Sequence, residues 1–350
     1  MCRWFAYLSE EDVLLADPVS LSFCQREKTG AVVDSFVARQ LLRPMHSIVK
    51  QISTHWLPDV HVQYAPTDDG SGPNKLSNVD GFGVAWYTKS ASEFDAAATA
   101  SYIRPCLYKT VRPPLNDLNF RSIAENVSST CIVAHVRAAT GRTPVSELNS
   151  HPFVFGRFTF AQNGTVACFF EIKTSLLGLI SAAARRNILG TSDTEHVAAL
   201  FFTQLDHDGP WTKTYQLEEM KAALKKTVDI LRSLVESIGR PRNECSFLNF
   251  VVTDGEQMLA SRYAYPVGTE PPSLYYSSKA GPTINRKYED DPDGPLLAPE
   301  DQPTKRNSDY KKHVIIASEP STYHMEDWTL IPANSLLAVG KDLQVTLTSI

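Results

Sequence analysis

Short, almost wholly apolar runs recur along this chain, and they constrain its fold more than any other feature. RWFAYL (3–8), GFGVAWY (81–87), CIVAHVRA (131–138), LNFVVTD (248–254), MLASRY (258–263), LYYSS (274–278), HVIIASE (313–319) and SLLAVG (335–340) are each strand-length and rich in aromatic and β-branched residues. Runs of that length bounded by turn residues read as buried strands. The segment PFVFGRFTFAQNGTVACFF (152–170) reads as a further strand pair, with Asn163-Gly164 as its turn signal. Helices are predicted at 46–57, 117–127 and 193–206. The clearest one runs through Leu217, Met220, Leu224, Val228, Leu231, Val235 and Ile238 and ends at Gly239. No repeat or linker divides the chain, so one large mixed unit with two sheets and flanking helices is the economical reading. Residues 280–312 carry five prolines and many charges, which predicts a mobile surface loop.

The balance of 34 Lys+Arg against 39 Asp+Glu gives a formal net charge of -5, which argues against nucleic acid as a main partner. No apolar stretch approaches the ~18 residues of a membrane span, so no membrane partner is expected. The start MCRWFAYLSEEDVLL lacks the layout of a secretory signal. The six cysteines (Cys2, Cys24, Cys106, Cys131, Cys168, Cys245) are widely spaced and form no C-x-x-C pair. They read as reduced thiols of a cytoplasmic protein, with no metal or other cofactor expected. Cys2 differs from the rest, because removal of Met1 would make it the N-terminal residue.

Four motifs occur in order: Cys2 itself, H-V-R-A-A-T (135–140), Asn163-Gly164, and S-D-T-E (192–195), with D-G-F-G (80–83) and N-S-H-P-F (149–153) between them. Each alone is weak. As an ordered set they resemble the class II glutamine amidotransferases, a family of N-terminal-nucleophile hydrolases. The resemblance implies an α+β fold, a four-layer α/β/β/α sandwich of two mostly antiparallel sheets, with residues 2–350 forming a single unit.

The resemblance also assigns roles. Cys2 would be the nucleophile, and its own α-amine, with an ordinary pKa of ~7.7–8.0, the base that takes the thiol proton. Asn163, through its side-chain amide, and Gly164, through its N–H, would form the oxyanion hole. Arg137 would bind the α-carboxylate of a glutamyl substrate, Asp193 its ammonium, and Thr140 would line the pocket. Read locally, Asp193 could equally be a helix N-cap, and Asn163-Gly164 a plain hairpin turn. His135 and His151 are structural or pocket-rim residues on this reading, since the amine already supplies a base. Glu195 would order its motif.

The chain has no S-G-G-x-D-S pyrophosphatase loop and no room for a synthase domain, which favours a stand-alone hydrolase or one subunit of a complex. The opening M-C-R, R-P-x-H-S-I (43–48), D-G-F-G-V-A-W-Y (80–87), L-N-F-x-V-T-D-G (248–255) and A-S-E-P (317–320) are similar to one fungal branch of the family, the amidotransferase-like subunit of the DUG pathway of glutathione degradation. That likeness spans roughly 1–20 and 42–349, leaving 21–41 as an insertion. It implies cleavage of the γ-glutamyl bond of glutathione together with a peptidase-family partner. The alternatives are a glutaminase or ergothioneine-type γ-glutamyl amidohydrolase, and a non-catalytic scaffold of the same fold.

Overall fold

A computed structural model describes residues 2–16, 48, 80–88, 103–139, 143–239, 244–285, 287–288, 305–322 and 324–350. The insertion expected at 21–41, almost all of the helix expected at 46–57, Thr140, and 289–304 of the predicted loop lie outside the described residues.

The first sheet contains β1 (Arg3–Leu14), β2 (Phe82–Thr88), β3 (Arg104–Thr110), β4 (Ser128–Val136), β10 (Tyr275–Ser277), β11 (His313–Ala317) and β12 (Thr329–Leu330), in the order β12-β10-β11-β1-β4-β2-β3. The second contains β5 (Phe153–Phe155), β6 (Phe158–Thr165), β7 (Ser246–Thr253), β8 (Met258–Arg262), β13 (Ser335–Val339) and β14 (Val345–Ser349), in the order β14-β13-β8-β7-β6-β5. The short β9 (Ala264–Tyr265) also pairs with β7. Every ladder in both sheets is antiparallel.

Three apolar layers hold these sheets in a sandwich, and β1 shows how one strand serves two of them. Its Trp4, Ala6 and Leu8 point between the sheets, where they meet Val251, Met258, Ala260 and Leu337. Its Phe5 and Tyr7 point outward to a layer with Phe82, Ile132 and Ala134. There they pack with Phe120 and Ala124 of α1 (Leu118–Asn126). A strand covered on both faces needs no polar alternation, which is why RWFAYL reads as one apolar run.

On the outer face of the second sheet, Phe153, Phe155, Phe158 and Phe160 pack against α2 (Phe169–Leu179), α4 (Asp193–Leu205) and α5 (Leu217–Ser237); the single-turn α3 (Ala182–Arg185) adds Ala184. In α4 every residue from Thr194 to Thr203 is buried, so that helix is central to its layer. By contrast, α5 buries one stripe (Met220, Ala223, Leu224, Thr227, Val228, Leu231, Val235) and leaves Ile238 exposed beyond its end. Its start is fixed by Gln216 and Glu219, whose carboxylate accepts the Gln216 N–H at 2.7 Å. The layers are thus helix, sheet, sheet, helix, as the family resemblance implies.

Three segments differ from what their sequence predicts. Asn163-Gly164 is not a turn: both residues lie inside β6, opposite Asn249 and Leu248 of β7. The β5–β6 hairpin turns instead at Gly156-Arg157, where Gly156 takes φ +60° and an added Cβ would lie 2.4 Å from the Trp211 carbonyl oxygen. Of residues 167–170, read as strand, Ala167 and Cys168 form a turn and Phe169 and Phe170 begin α2. The described ends of the 280–312 segment are also packed: Ala280, Ile284 and Tyr288 are buried, and Tyr288 bridges to Lys305.

Candidate active site

The register of the first sheet gathers the candidate residues at one end. Arg3 pairs with Val136, so one step further Cys2 stands beside Arg137 at the end of β4. On the other side of Arg137, its N–H donates to the Gly81 carbonyl at 2.8 Å, one residue before β2. The Cys2 sulfur sits on the backbone of Ala138, 3.3 Å from its N–H and 3.5 Å from its carbonyl oxygen. Burial pushes the Cys2 thiol above its ordinary value, while the Ala138 N–H and the Arg137 charge pull it down and Asp193 opposes them. The resting group is therefore a thiol that needs a base to become a nucleophile.

Arg137 is only 4% exposed. Its guanidinium makes one hydrogen bond among the described residues, from Nη1 to the Pro144 carbonyl at 3.2 Å. A guanidinium carries five N–H donors, and leaving them unmet in a buried place is costly unless an anion takes them up. Burial lowers the Arg137 pKa, and the negative charges of Asp80 and Asp193 act against that shift. Asp80 is itself held by the Ala139 N–H at 2.9 Å. Thr140 lies outside the described residues.

Asp193 opens α4, but it does not cap it. The cap is Ser192, whose hydroxyl accepts the Glu195 N–H at 3.3 Å. The Asp193 carboxylate accepts the Val166 N–H at 2.9 Å and the Thr194 N–H at 2.8 Å, which ties it to the strand end just beyond Gly164. Burial raises its pKa and these hydrogen bonds lower it. Asn149 secures the approach to the helix: its Oδ1 accepts from Thr191 N–H at 2.7 Å and Ser192 N–H at 3.2 Å, while its Nδ2 donates to the same Pro144 carbonyl that Arg137 uses. Glu195 accepts the N–H groups of Leu189 and Gly190, so it orders the loop as expected.

Gly164 has φ +148°, and a Cβ there would lie 1.9 Å from the Phe247 carbonyl oxygen. Only glycine fits that close approach between β6 and β7. Asn163 is buried, with Nδ2 3.4 Å from the Ser318 hydroxyl, and its Oδ1 has no hydrogen-bond partner among the described residues. The same hydroxyl accepts the Trp4 N–H at 3.0 Å. The Asn163 amide is thereby joined to β1 two residues beyond Cys2.

His135 and His151 are not rim residues. Both are buried, with ring centroids 4.1 Å apart, and each has a ring nitrogen 3.1 Å from the Gln162 carbonyl oxygen. Burial pushes His135 down to about 3 and His151 well below its ordinary value, so both rings are neutral. His135 thereby fastens the first sheet, and His151 the segment before β5, to the residue that precedes Asn163. Gln162 completes that role with its side chain, which donates to the Phe247 carbonyl at 2.9 Å and accepts from the Thr194 hydroxyl at 2.9 Å.

Gln162, Ser318, Asn149 and Asp80 were not singled out by sequence reasoning. Each does lie inside or directly beside a motif already noted: Q-N-G, A-S-E-P, N-S-H-P-F and D-G-F-G. No helix among the described residues is long and apolar enough to cross a membrane. No group of three or more His, Cys, Asp or Glu side chains among them could hold a metal ion.

Comparison with known proteins shows the family. Among solved structures, a glutamine aminotransferase class-II domain protein from Silicibacter pomeroyi is similar with a TM-score of 0.55 at 20% identity, covering 100% of this chain and 99% of that one, a likeness of fold. Among curated proteins, the chain is 33% identical over 307 residues to the probable glutamine amidotransferase DUG3 of Saccharomyces cerevisiae, covering 86% of this chain and 77% of the relative. It is 24% identical over 229 residues to the gamma-glutamyl-hercynylcysteine sulfoxide hydrolase of Mycolicibacterium smegmatis, covering 65% and 77%. Residues 52–349 match the family of class-II glutamine amidotransferases. That match takes in Arg137, Asn163, Gly164 and Asp193, and with the sheet order around Cys2 it identifies the chain as a member of the class-II glutamine amidotransferases, enzymes of amide-bond chemistry.

Proposed function

We propose that this chain is an N-terminal cysteine amidohydrolase that opens the γ-glutamyl amide bond of glutathione. The observation that carries the reading is the buried Arg137 guanidinium, with most of its donors unused by the described protein, standing beside the Cys2 thiol.

With Met1 removed, the α-amine of Cys2 takes the thiol proton as sulfur attacks the γ-carbonyl carbon. Arg137 holds the substrate α-carboxylate and Asp193 its ammonium, which fixes the distance to the reacting carbon. The Asn163 side-chain amide and the Gly164 N–H receive the negative oxygen of the tetrahedral intermediate. The C–N bond then breaks, and the leaving amine departs with the proton that the α-amine had taken. Water attacks the γ-glutamyl thioester with the same amine as base, releasing glutamate and restoring the thiol.

With glutathione the leaving amine is that of Cys-Gly; with glutamine it is ammonia. The glutamyl end of the site is the same for both. A peptidase-family partner in the cytoplasm would fit the likeness to the fungal branch and would shape the leaving-group side. The likeness to a mycobacterial hydrolase favours a second reading, a γ-glutamyl amidohydrolase acting on another small molecule.

The purified chain, alone and with such a partner, should be assayed on glutathione, glutamine and γ-glutamyl-p-nitroanilide. Equal release of glutamate and Cys-Gly supports the first reading. Turnover of the anilide or glutamine with intact glutathione favours the second, and no turnover in any mixture refutes both.

A further inference from the structure

We infer that Ser318 is a positioning residue that turns the Asn163 carboxamide so that its NH₂ end faces the reacting oxygen; this rests on the proposed function above. The argument begins with unmet hydrogen bonds. The Ser318 hydroxyl accepts the Trp4 N–H at 3.0 Å and lies 3.4 Å from the Asn163 Nδ2, a long contact. In that arrangement the Ser318 hydroxyl proton has no acceptor among the described residues, while the Asn163 Oδ1 is buried with no donor. A donor and an acceptor are thus unmet within one small polar cluster.

A carboxamide fills the same space when turned by 180°, and its partners decide which end goes where. Turned, Oδ1 receives the Ser318 O–H, and the hydroxyl keeps its bond from Trp4. The unmet Ser318 proton and the unmet Oδ1 then satisfy each other, and only the NH₂ group is left without partners among the described residues. The group left over is then an N–H donor at the end away from Ser318, which is what an oxyanion requires and an amide oxygen there would repel.

Neighbouring residues hold this arrangement in place. The Ser318 N–H donates to the Trp4 carbonyl at 3.0 Å, and its carbonyl accepts the Ser273 hydroxyl at 2.9 Å. Asn163 is fixed in β6 opposite Asn249, whose carbonyl accepts the Trp4 indole N–H at 3.2 Å. Ser318 and Asn163 are therefore positioned from the two sheets independently, and a hydroxyl at 318 is the element that selects one amide orientation over the other.

The test follows γ-glutamyl-p-nitroanilide hydrolysis in wild type, Ser318→Ala, Ser318→Thr, Asn163→Ala and the double variant Ser318→Ala/Asn163→Ala. Ser318→Ala should lower kcat by ~10- to 100-fold, less than the loss of an oxyanion donor itself, with KM within about two-fold. Ser318→Thr, which keeps the hydroxyl, should retain most activity. In the Asn163→Ala background, Ser318→Ala should cost nothing further, since it acts through the missing amide. The rate of Cys2 alkylation by iodoacetamide should be the same in wild type and Ser318→Ala. If Ser318→Ala does not fold, Ser318→Cys, a weak donor of similar shape, takes its place. Wild-type kcat in Ser318→Ala, or additive losses in the double variant, overturns the inference alone. Full activity in Asn163→Ala, or a wild type inactive on every γ-glutamyl substrate with and without the partner, overturns the functional reading beneath it.

Discussion

The backbone N–H of Ala138 lies 3.3 Å from the sulfur of Cys2, although 136 residues separate the two. The contact follows from the pairing of β1 with β4, two central strands of the first sheet. Because that pairing lies in the middle of the sheet and is buried on both faces, Cys2 is held by the fold itself and not by a surface loop.

Cys2→Ala should abolish turnover and leave the fold intact. Among the described residues the side chain hydrogen-bonds only to the Ala138 backbone, and Ala138 remains placed by the β1–β4 ladder. A thermal midpoint within a few degrees of wild type, with activity reduced by at least ~1,000-fold, is the expected pair of results. Comparable turnover in the variant would exclude the thiol from the chemistry.

Arg137→Lys and Asp193→Asn should raise KM for γ-glutamyl substrates by ~10-fold or more and change kcat less. A lysine cannot supply the planar fork that a carboxylate accepts, and an asparagine removes the charge that on the proposed reading would face an ammonium. Steady-state kinetics on glutamate-containing amides reads both. An unchanged KM in Arg137→Lys would mean that the guanidinium does not bind substrate.

Gly164→Ala should be severely destabilising, by ~3 kcal/mol or more, because the new Cβ would sit 1.9 Å from the Phe247 carbonyl oxygen and φ is +148°. Gly178→Ala is the contrast. That glycine lies in α2 with nothing within 4 Å of an added Cβ. The substitution should stabilise by ~0.5–1 kcal/mol. Urea unfolding of both variants, compared at one temperature, checks the pair.

Stability should fall as pH drops below ~6.5. His135 is pushed down to about 3 and His151 well below its usual value, so the folded rings stay neutral while the unfolded chain takes up protons. Each such histidine contributes a slope of ~1.4 kcal/mol per pH unit. His135→Gln can still donate to the Gln162 carbonyl, and between pH 6 and 5 it should lose stability less steeply than wild type, by about one proton. Equal slopes would show that His135 titrates normally.

What could be read in advance depended on burial. Strands β1, β2 and β4 were legible because cover on both faces makes them continuously apolar, and α5 because one of its faces is wet. The edge strands β3 and β14 were not, since neither is covered on both faces and neither forms a continuous apolar run. Helix α2 begins with Phe169 and Phe170, which local propensity assigns to a strand. Asn163-Gly164 shows the same limit: the pair has the composition of a turn, but Gly164 is needed for close approach to Phe247. Proximity of Cys2 to Arg137 cannot be derived from spacing and came through resemblance. Gln162, through its carbonyl, and Ser318 make hydrogen bonds across the two sheets, which no local pattern encodes.

The most direct measurement is peptide mapping by mass spectrometry after incubation with the diazo-ketone analogue of glutamine. A single adduct should form on Cys2 of the chain that has lost Met1, and Arg137→Lys should slow its formation. An adduct on Cys106 or any other residue in place of Cys2, or an unmodified Cys2 on the correctly trimmed chain, would contradict the assignment of this sulfur as the nucleophile.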